Sequence, residues 1–247
     1  MFQFSCDDNV VFWSYDAGRD KALTGFELLG IPPEPVLDIY YAGVKSHFMK
    51  CPAFKSELQN TYALRSPIDI EIEYQRGDPT KRQMNVIKPS KCKPETRQYL
   101  IKPRWRDSDG DSAHEIFSLM CMPYIFWSDT SITMSLTNPF LEWSNPNGLR
   151  VIGGHYDIGK WKRHIEYAAE LQHPDGVLKF KRGDIMMYVK FTLTKNPHKK
   201  IRLKENSISS QMRAEIQHNT HLKFNMPKCP LDVLYGIRAA YDARKRR

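Results

Sequence analysis

From Ile68 to Tyr74 apolar and acidic residues alternate without a break: Ile68, Ile70, Ile72 and Tyr74 interleave with Asp69, Glu71 and Glu73. Successive side chains of a strand leave opposite faces, so a period of two buries its apolar set only in a sheet with one face in the core and the other in water. On a helix the same residues would be spread around the circumference. This stretch is therefore committed to a half-exposed strand. Its three carboxylates read as the solvated face, because no other metal-ligand type stands beside them.

Short apolar runs of the same kind fill the rest of the chain. They cover 10–15, 116–121, 124–127, 131–136, 149–152, 177–180 and 185–191. Between them stand turn residues: Pro123, the pair Asn138-Pro139, the cluster Asn145-Pro146-Asn147-Gly148, and the segment 31–36 with three prolines in four positions. Lys181-Arg182-Gly183-Asp184 predicts a hairpin joining the last two runs. Pro52 opens a short helix with Phe54, Leu58 and Tyr62 on one face. The expectation is a mainly β (α+β) protein, a jelly-roll-like sandwich with that short early helix and a basic helical C-terminal arm.

Charge separates the arm from the body. The chain of 247 residues carries a formal +9, but residues 199–247 hold twelve Lys/Arg against four Asp/Glu, a net +8. That leaves residues 1–198 with 25 basic and 24 acidic residues, a net +1. A β-rich body over 1–198, with a sub-boundary near 138–148, is thus followed by an arm over 199–247. Helices are expected over 207–222 and 230–247; in the second, Leu234, Ile237 and Tyr241 fall at helical spacing, with Val233 and Ala240 alongside. The arm ends in cations, where the helix dipole favours them. Arg238, Arg244, Lys245, Arg246 and Arg247 are its candidate partner-binding residues.

Composition excludes several classes. Apolar residues are 41% of the chain and no run of about 18 of them occurs, so neither a disordered chain nor a membrane span is expected. The N-terminus is acidic where a secretory leader needs a basic and then an apolar stretch. Five widely spaced cysteines, an odd number without a C-x-x-C pair, read as reduced thiols. An intracellular location is expected.

Chemistry is thinly marked. Phosphate-cradling glycine motifs, a G-x-S-x-G elbow and H-E-x-x-H are all missing. Asp107, Asp109 and Asp111 open like a calcium loop but lack its later Gly and Glu, and read as an acidic turn. Arg76-Gly77-Asp78 and Arg182-Gly183-Asp184 read as turns, not adhesion motifs. His218 and His221 belong to a solvated helix end, and Trp105 between Arg104 and Arg106 is one aromatic, short of a base-stacking platform. The one metal candidate is His155-x-Asp157 with His198 as a third ligand, the order of a facial triad for non-haem iron. Arg202 would bind an oxo-acid carboxylate beside it. That alternative is an Fe2+/2-oxoglutarate oxygenase on a double-stranded β-helix.

Two segments carry a resemblance. The run Tyr41-Ala42-Gly43-Val44-Lys45-Ser46-His47-Phe48-Met49-Lys50-Cys51-Pro52-Ala53-Phe54, with Ser66-Pro67-Ile68-Asp69-Ile70 after it, resembles proteins of tailed phages infecting marine bacteria. Asn138-Pro139-Phe140, the stretch 155–163 and the Gly-Asp turn between Phe180 and Tyr188 resemble the second half of the same group. The resemblance spans about 40–190 and implies a viral source and a mostly β fold, with no reaction attached. The leading expectation is a non-enzymatic phage protein without cofactor, a virion or assembly component or a host-directed binding factor. It acts through a protein partner or self-assembly and has no membrane role. The second alternative is non-specific nucleic-acid binding through the arm, for which no module motif speaks.

Overall fold

The computed structural model describes residues 9–16, 30–43, 50–75, 83–88, 101–104, 116–119, 124–142, 149–171, 173 and 175–245. Strand outweighs helix among them. Among the described residues fifteen strands form four sheets. The largest runs β11 (Gly154–Asp157), β9 (Ile132–Thr137), β14 (Ile185–Leu193), β3 (Thr61–Arg65), β2 (Glu34–Pro35). A second sheet is β13 (Asp175–Phe180), β4 (Ile70–Gln75), β5 (Gln83–Lys88). The third sets β1 (Val10–Tyr15) between β15 (Arg202–Glu205) and β8 (Tyr124–Trp127); the β1–β15 pair is parallel. The fourth is β10 (Leu149–Val151), β12 (Tyr167–Leu171), β7 (Ile116–Leu119), β6 (Ile101–Arg104).

The alternating segment is β4. Ile70, Ile72 and Tyr74 are buried in the main core while Asp69 and Glu73 face solvent; Ile68 precedes the strand and is half-buried. One core cluster runs from Val11 to Leu234 and is shared by all four sheets. β8 is covered on both sides: Tyr124 and Phe126 point into that core, Ile125 and Trp127 into a separate apolar cluster beneath a helix.

The hairpin expected at Gly183 has a different construction. The turn is there: Asp184 N donates to the Lys181 carbonyl, Lys181 N to the Asp184 carboxylate, and Gly183 takes φ +93°, open to glycine at little cost. Its two arms do not pair with each other, however. β13 pairs with β4 in one sheet and β14 with β3 in another. The segments 61–75 and 175–193 thus form one antiparallel ribbon that bends from sheet to sheet. At the bend Ser66 N donates to the Asp184 carbonyl (2.8 Å) and Gly183 N to the Ser66 carbonyl (2.9 Å). Arg182 N donates to Asp69 Oδ1 (2.7 Å) and Arg65 Nη1 to the Gly183 carbonyl (2.8 Å). Pairing across the bend, invisible to a local reading, decides where each arm goes.

Among the described residues there are four helices: α1 (Val36–Gly43), α2 (Pro52–Leu58), α3 (Ser210–Asn225) and α4 (Leu231–Lys245). Tyr62 is not on the early helix as its spacing predicts. That helix ends at Leu58, and Tyr62 lies in β3, buried against Phe191. Asn60 makes the change of direction at φ +59°, a left-handed conformation that asparagine tolerates better than most residues. The Pro-rich connection holds a two-residue edge strand, β2, and then α1, which sequence reading omits. β15 is likewise unexpected. It is a short basic edge strand, with Arg202 and Lys204 exposed, a pattern that discourages edge-to-edge pairing. Sheet therefore extends past residue 198, and only α3 and α4 stand outside it. Among the described residues no helix is long and apolar enough to cross a membrane. The acidic turn 107–111, Arg76-Gly77-Asp78 and Trp105 lie outside the described residues.

Candidate functional site

The C-terminal helices are fastened to the sheets, and the fastening decides which of their charges remain available. Ser209 caps α3 by accepting from Met212 N (3.1 Å). Ile216 and Met212 then lie on Ile125 and Trp127 of β8. Full burial of Ile216 contributes about 2 kcal/mol to that seat. Asn219, fully buried, donates to the Lys162 carbonyl (2.9 Å), while Lys162 Nζ reaches both Glu215 oxygens at 3.2 and 3.0 Å. Glu215 also meets Arg238 of α4 at 3.6 Å, and Arg238 pairs with Asp242 at 2.9 Å. One ionic chain so joins body, α3 and α4. At the other end of α4, Asp157 N donates to the Tyr235 hydroxyl (2.9 Å), and Leu234 enters the main core.

Arg238, a candidate contact residue of the arm, is therefore 8% exposed and committed to Glu215 and Asp242. Arg244 is exposed. The side chain of Lys245 and all of Arg246 and Arg247 lie outside the described residues.

The iron candidates are not brought together. His155 and Asp157 share a face of β11, His155 exposed. Asp157 Oδ2 accepts from Ser131 Oγ (2.6 Å) and Oδ1 from Gly159 N (2.9 Å), the bonds of a carboxylate closing a turn. His198 lies in an exposed turn whose carbonyl accepts from Gln59 Nε2, and Asn60 holds the next residues at Lys199 O and Ile201 N. Residues 59–60 precede β3, and β3 is three strand steps from β11, roughly 14 Å of sheet. Arg202 belongs to β15, paired with β1 in a different sheet. No group of three or more His, Cys, Asp or Glu among the described residues is placed to hold a metal.

Two clefts flank the helix pair. The larger, about 540 Å³, is lined by Asp16, His164, Arg213, Gln217, His221 and Phe224 among others. Asp16 is buried just beyond β1; its Oδ2 meets His164 Nε2 at 3.1 Å and its Oδ1 accepts from Arg213 Nη1 at 2.5 Å. A His–Asp pair is half of an acyl-transfer triad. Here the carboxylate is shared with Arg213, and the Thr220 hydroxyl in the cleft donates to the Ile216 carbonyl (2.8 Å). The arrangement ties α3 to the body.

The smaller cleft, about 260 Å³, lies between β11 and the turn joining α3 to α4, with Tyr156, Arg163, Lys223 and Cys229 in its wall. Arg163 lies against the Tyr156 ring, 4.8 Å from its centroid. Burial pushes the Tyr156 phenol up, and the Arg163 charge works against that rise. The Tyr156 hydroxyl and Arg163 Nε make no hydrogen bond among the described residues, each omission costing about 1–3 kcal/mol.

Between the clefts the helix turn exposes apolar side chains. Phe224 is 58% exposed, and Met226, Leu231 and Val233 are exposed with it, flanked by Lys228. None of Asp16, His164, Arg163 or Phe224 is marked in the sequence. Asp16 and His164 stand 148 residues apart with no spacing to link them, and Phe224 lies just past the polar helix expected over 207–222. No protein-family model matches the sequence, nor does any curated protein or solved structure.

Proposed function

We propose that this chain is a non-enzymatic viral protein that works by protein–protein contact, using the turn of its C-terminal helix pair to hold an acidic partner. The observation that carries this reading is the exposed apolar group Phe224, Met226, Leu231 and Val233 on a basic segment. Apolar side chains gathered in water on an otherwise well-packed body mark a contact surface. The net positive charge of the arm that carries them favours a partner of opposite charge. The phage-protein resemblance over 40–190 supplies the viral context. The sheets are read as a jelly-roll-like sandwich, in which a two-stranded ribbon bent between sheets, as over 61–75 and 175–193, is a natural component.

The reading is tested with a Phe224→Ser, Val233→Ser double variant, checked for wild-type circular dichroism. Sedimentation velocity and affinity capture from the source cells compare the two proteins. A species retained by wild type, released by salt and not retained by the variant supports the proposal. Identical self-association and capture profiles overturn it. Retention of duplex DNA by both proteins, falling steeply with salt, would place the activity in phosphate neutralisation instead.

A further inference from the structure

The smaller cleft brings three basic side chains, His155, Arg163 and Lys223, to one cavity of about 260 Å³. None of the described residues that line it carries a carboxylate. Lys223 pairs with Glu166 at 3.6 Å, a long contact outside the cavity lining. The remaining wall is apolar, including Leu136, Trp161, Met226 and Leu234. Tyr156 is 5% exposed, and its hydroxyl and Arg163 Nε are buried beneath the lining. A cavity with basic side chains at one side, apolar walls elsewhere and no carboxylate in its described lining is complementary to an acceptor with negative charge on an apolar body.

We infer that this cleft binds a carboxylate carried on a compact apolar group. Arg163 is the anchor, held in place by its packing on the Tyr156 ring at 4.8 Å. A guanidinium fork matches the two oxygens of a carboxylate, and the apolar walls take the remainder of the ligand. The volume is below that of ordinary drug-sized pockets, which limits the apolar group to about one ring. Met226 and Leu231 belong both to this wall and to the proposed contact surface, whereas Phe224 and Val233 are not among the lining residues, so changing those two tests the contact apart from the cleft.

Trp161 in the wall provides an optical signal, and calorimetry gives the affinity directly. The full chain is titrated with 3-phenylpropanoate, with the matched amide 3-phenylpropanamide, and with a blocked tripeptide ending in a phenylalanine carboxylate. Saturable binding of at least one carboxylate is expected, with the amide weaker by about tenfold or more, ~1.4 kcal/mol. Preference for the free acid or for the peptide separates a small metabolite from a chain terminus as the source. Arg163→Gln should abolish the acid–amide difference, and Phe224→Ser should leave it unchanged. If Arg163→Gln fails to fold, Lys223→Gln serves, and must also reduce the acid–amide difference. Equal binding of acid and amide overturns the inference. So does undiminished binding in a folded variant, or no saturation with any of the probes.

Discussion

Arg213 donates to Asp16 across 197 residues of chain, at 2.5 Å, so the first sheet strand and the first C-terminal helix share a buried carboxylate. The same carboxylate meets His164 at 3.1 Å. Its removal leaves both partners without their counter-group, whereas loss of Arg213, 48% exposed, leaves His164 in place. Asp16→Ala should therefore cost about 3 kcal/mol and Arg213→Met about 1 kcal/mol or less. Urea unfolding midpoints at constant slope measure both. Equal costs would mean that His164 contributes nothing to the tether.

Asn60 combines a left-handed backbone with two side-chain bonds, to Lys199 O (2.9 Å) and from Ile201 N (2.8 Å). Glycine restores only the backbone, alanine neither. Stability should fall in the order Asn, Gly, Ala, with Asn60→Ala losing about 2–3 kcal/mol. Amide exchange at Ile201 should accelerate in both variants.

Alkaline pH should unfold the protein through its buried phenols. Burial raises the Tyr188 phenol to about 12, and burial together with bonds to Tyr188 and Glu142 raises Tyr40 further. Tyr156, Tyr62 and Tyr235 are raised in the same direction, again chiefly by burial. A phenol whose folded pKa exceeds its unfolded value of about 10 keeps its proton longer in the native state. Its contribution is thus complete below about 10 and lost as pH climbs towards the folded value. Unfolding free energies at successive pH steps should decline from about pH 10, tracking tyrosinate absorbance. Tyr188→Phe, less stable at neutrality through loss of the Tyr40 contact, should decline less steeply.

Two arginines of α4 should separate structure from contact. Arg238→Ala breaks the link from Glu215 to Asp242 and should cost about 2–3 kcal/mol. Arg244→Glu, at an exposed position, should change stability by less than about 0.5 kcal/mol. It should nevertheless weaken an acidic partner in low salt. Thermal melts and binding at two salt concentrations decide between them.

Strand content and the inward face of β4 were legible because each rests on a local period: Ile70, Ile72 and Tyr74 announce their burial two residues apart. Turn chemistry located Gly183 equally well, but no local pattern says that β13 turns to β4 and β14 to β3. The helices at 210–225 and 231–245 were expected near their observed places, the first as a polar stretch and the second from its spacing, while the commitment of Arg238 was not visible, because its partner Glu215 belongs to the other helix. β15 escaped notice as four polar residues whose strand character comes from pairing with β1. The candidate site suffers the same way. Tyr156 stands between His155 and Asp157 with no local signal of its role, and its cleft exists only once Arg163 and the helix turn, distant in the chain, come to it.

The parallel pairing of β1 with β15 has a consequence for synthesis. β1 is made well before β15, one of its two neighbours, which spans Arg202–Glu205. At roughly 5–20 residues per second, the growing chain carries Val11 and Trp13 without that parallel partner for about 10–40 s. Over that interval one edge of an apolar strand destined for the core stays unpaired, a substrate for holding chaperones and a seed for aggregation. Yield in the cell should consequently depend on chaperone supply more than the stability of the finished protein suggests.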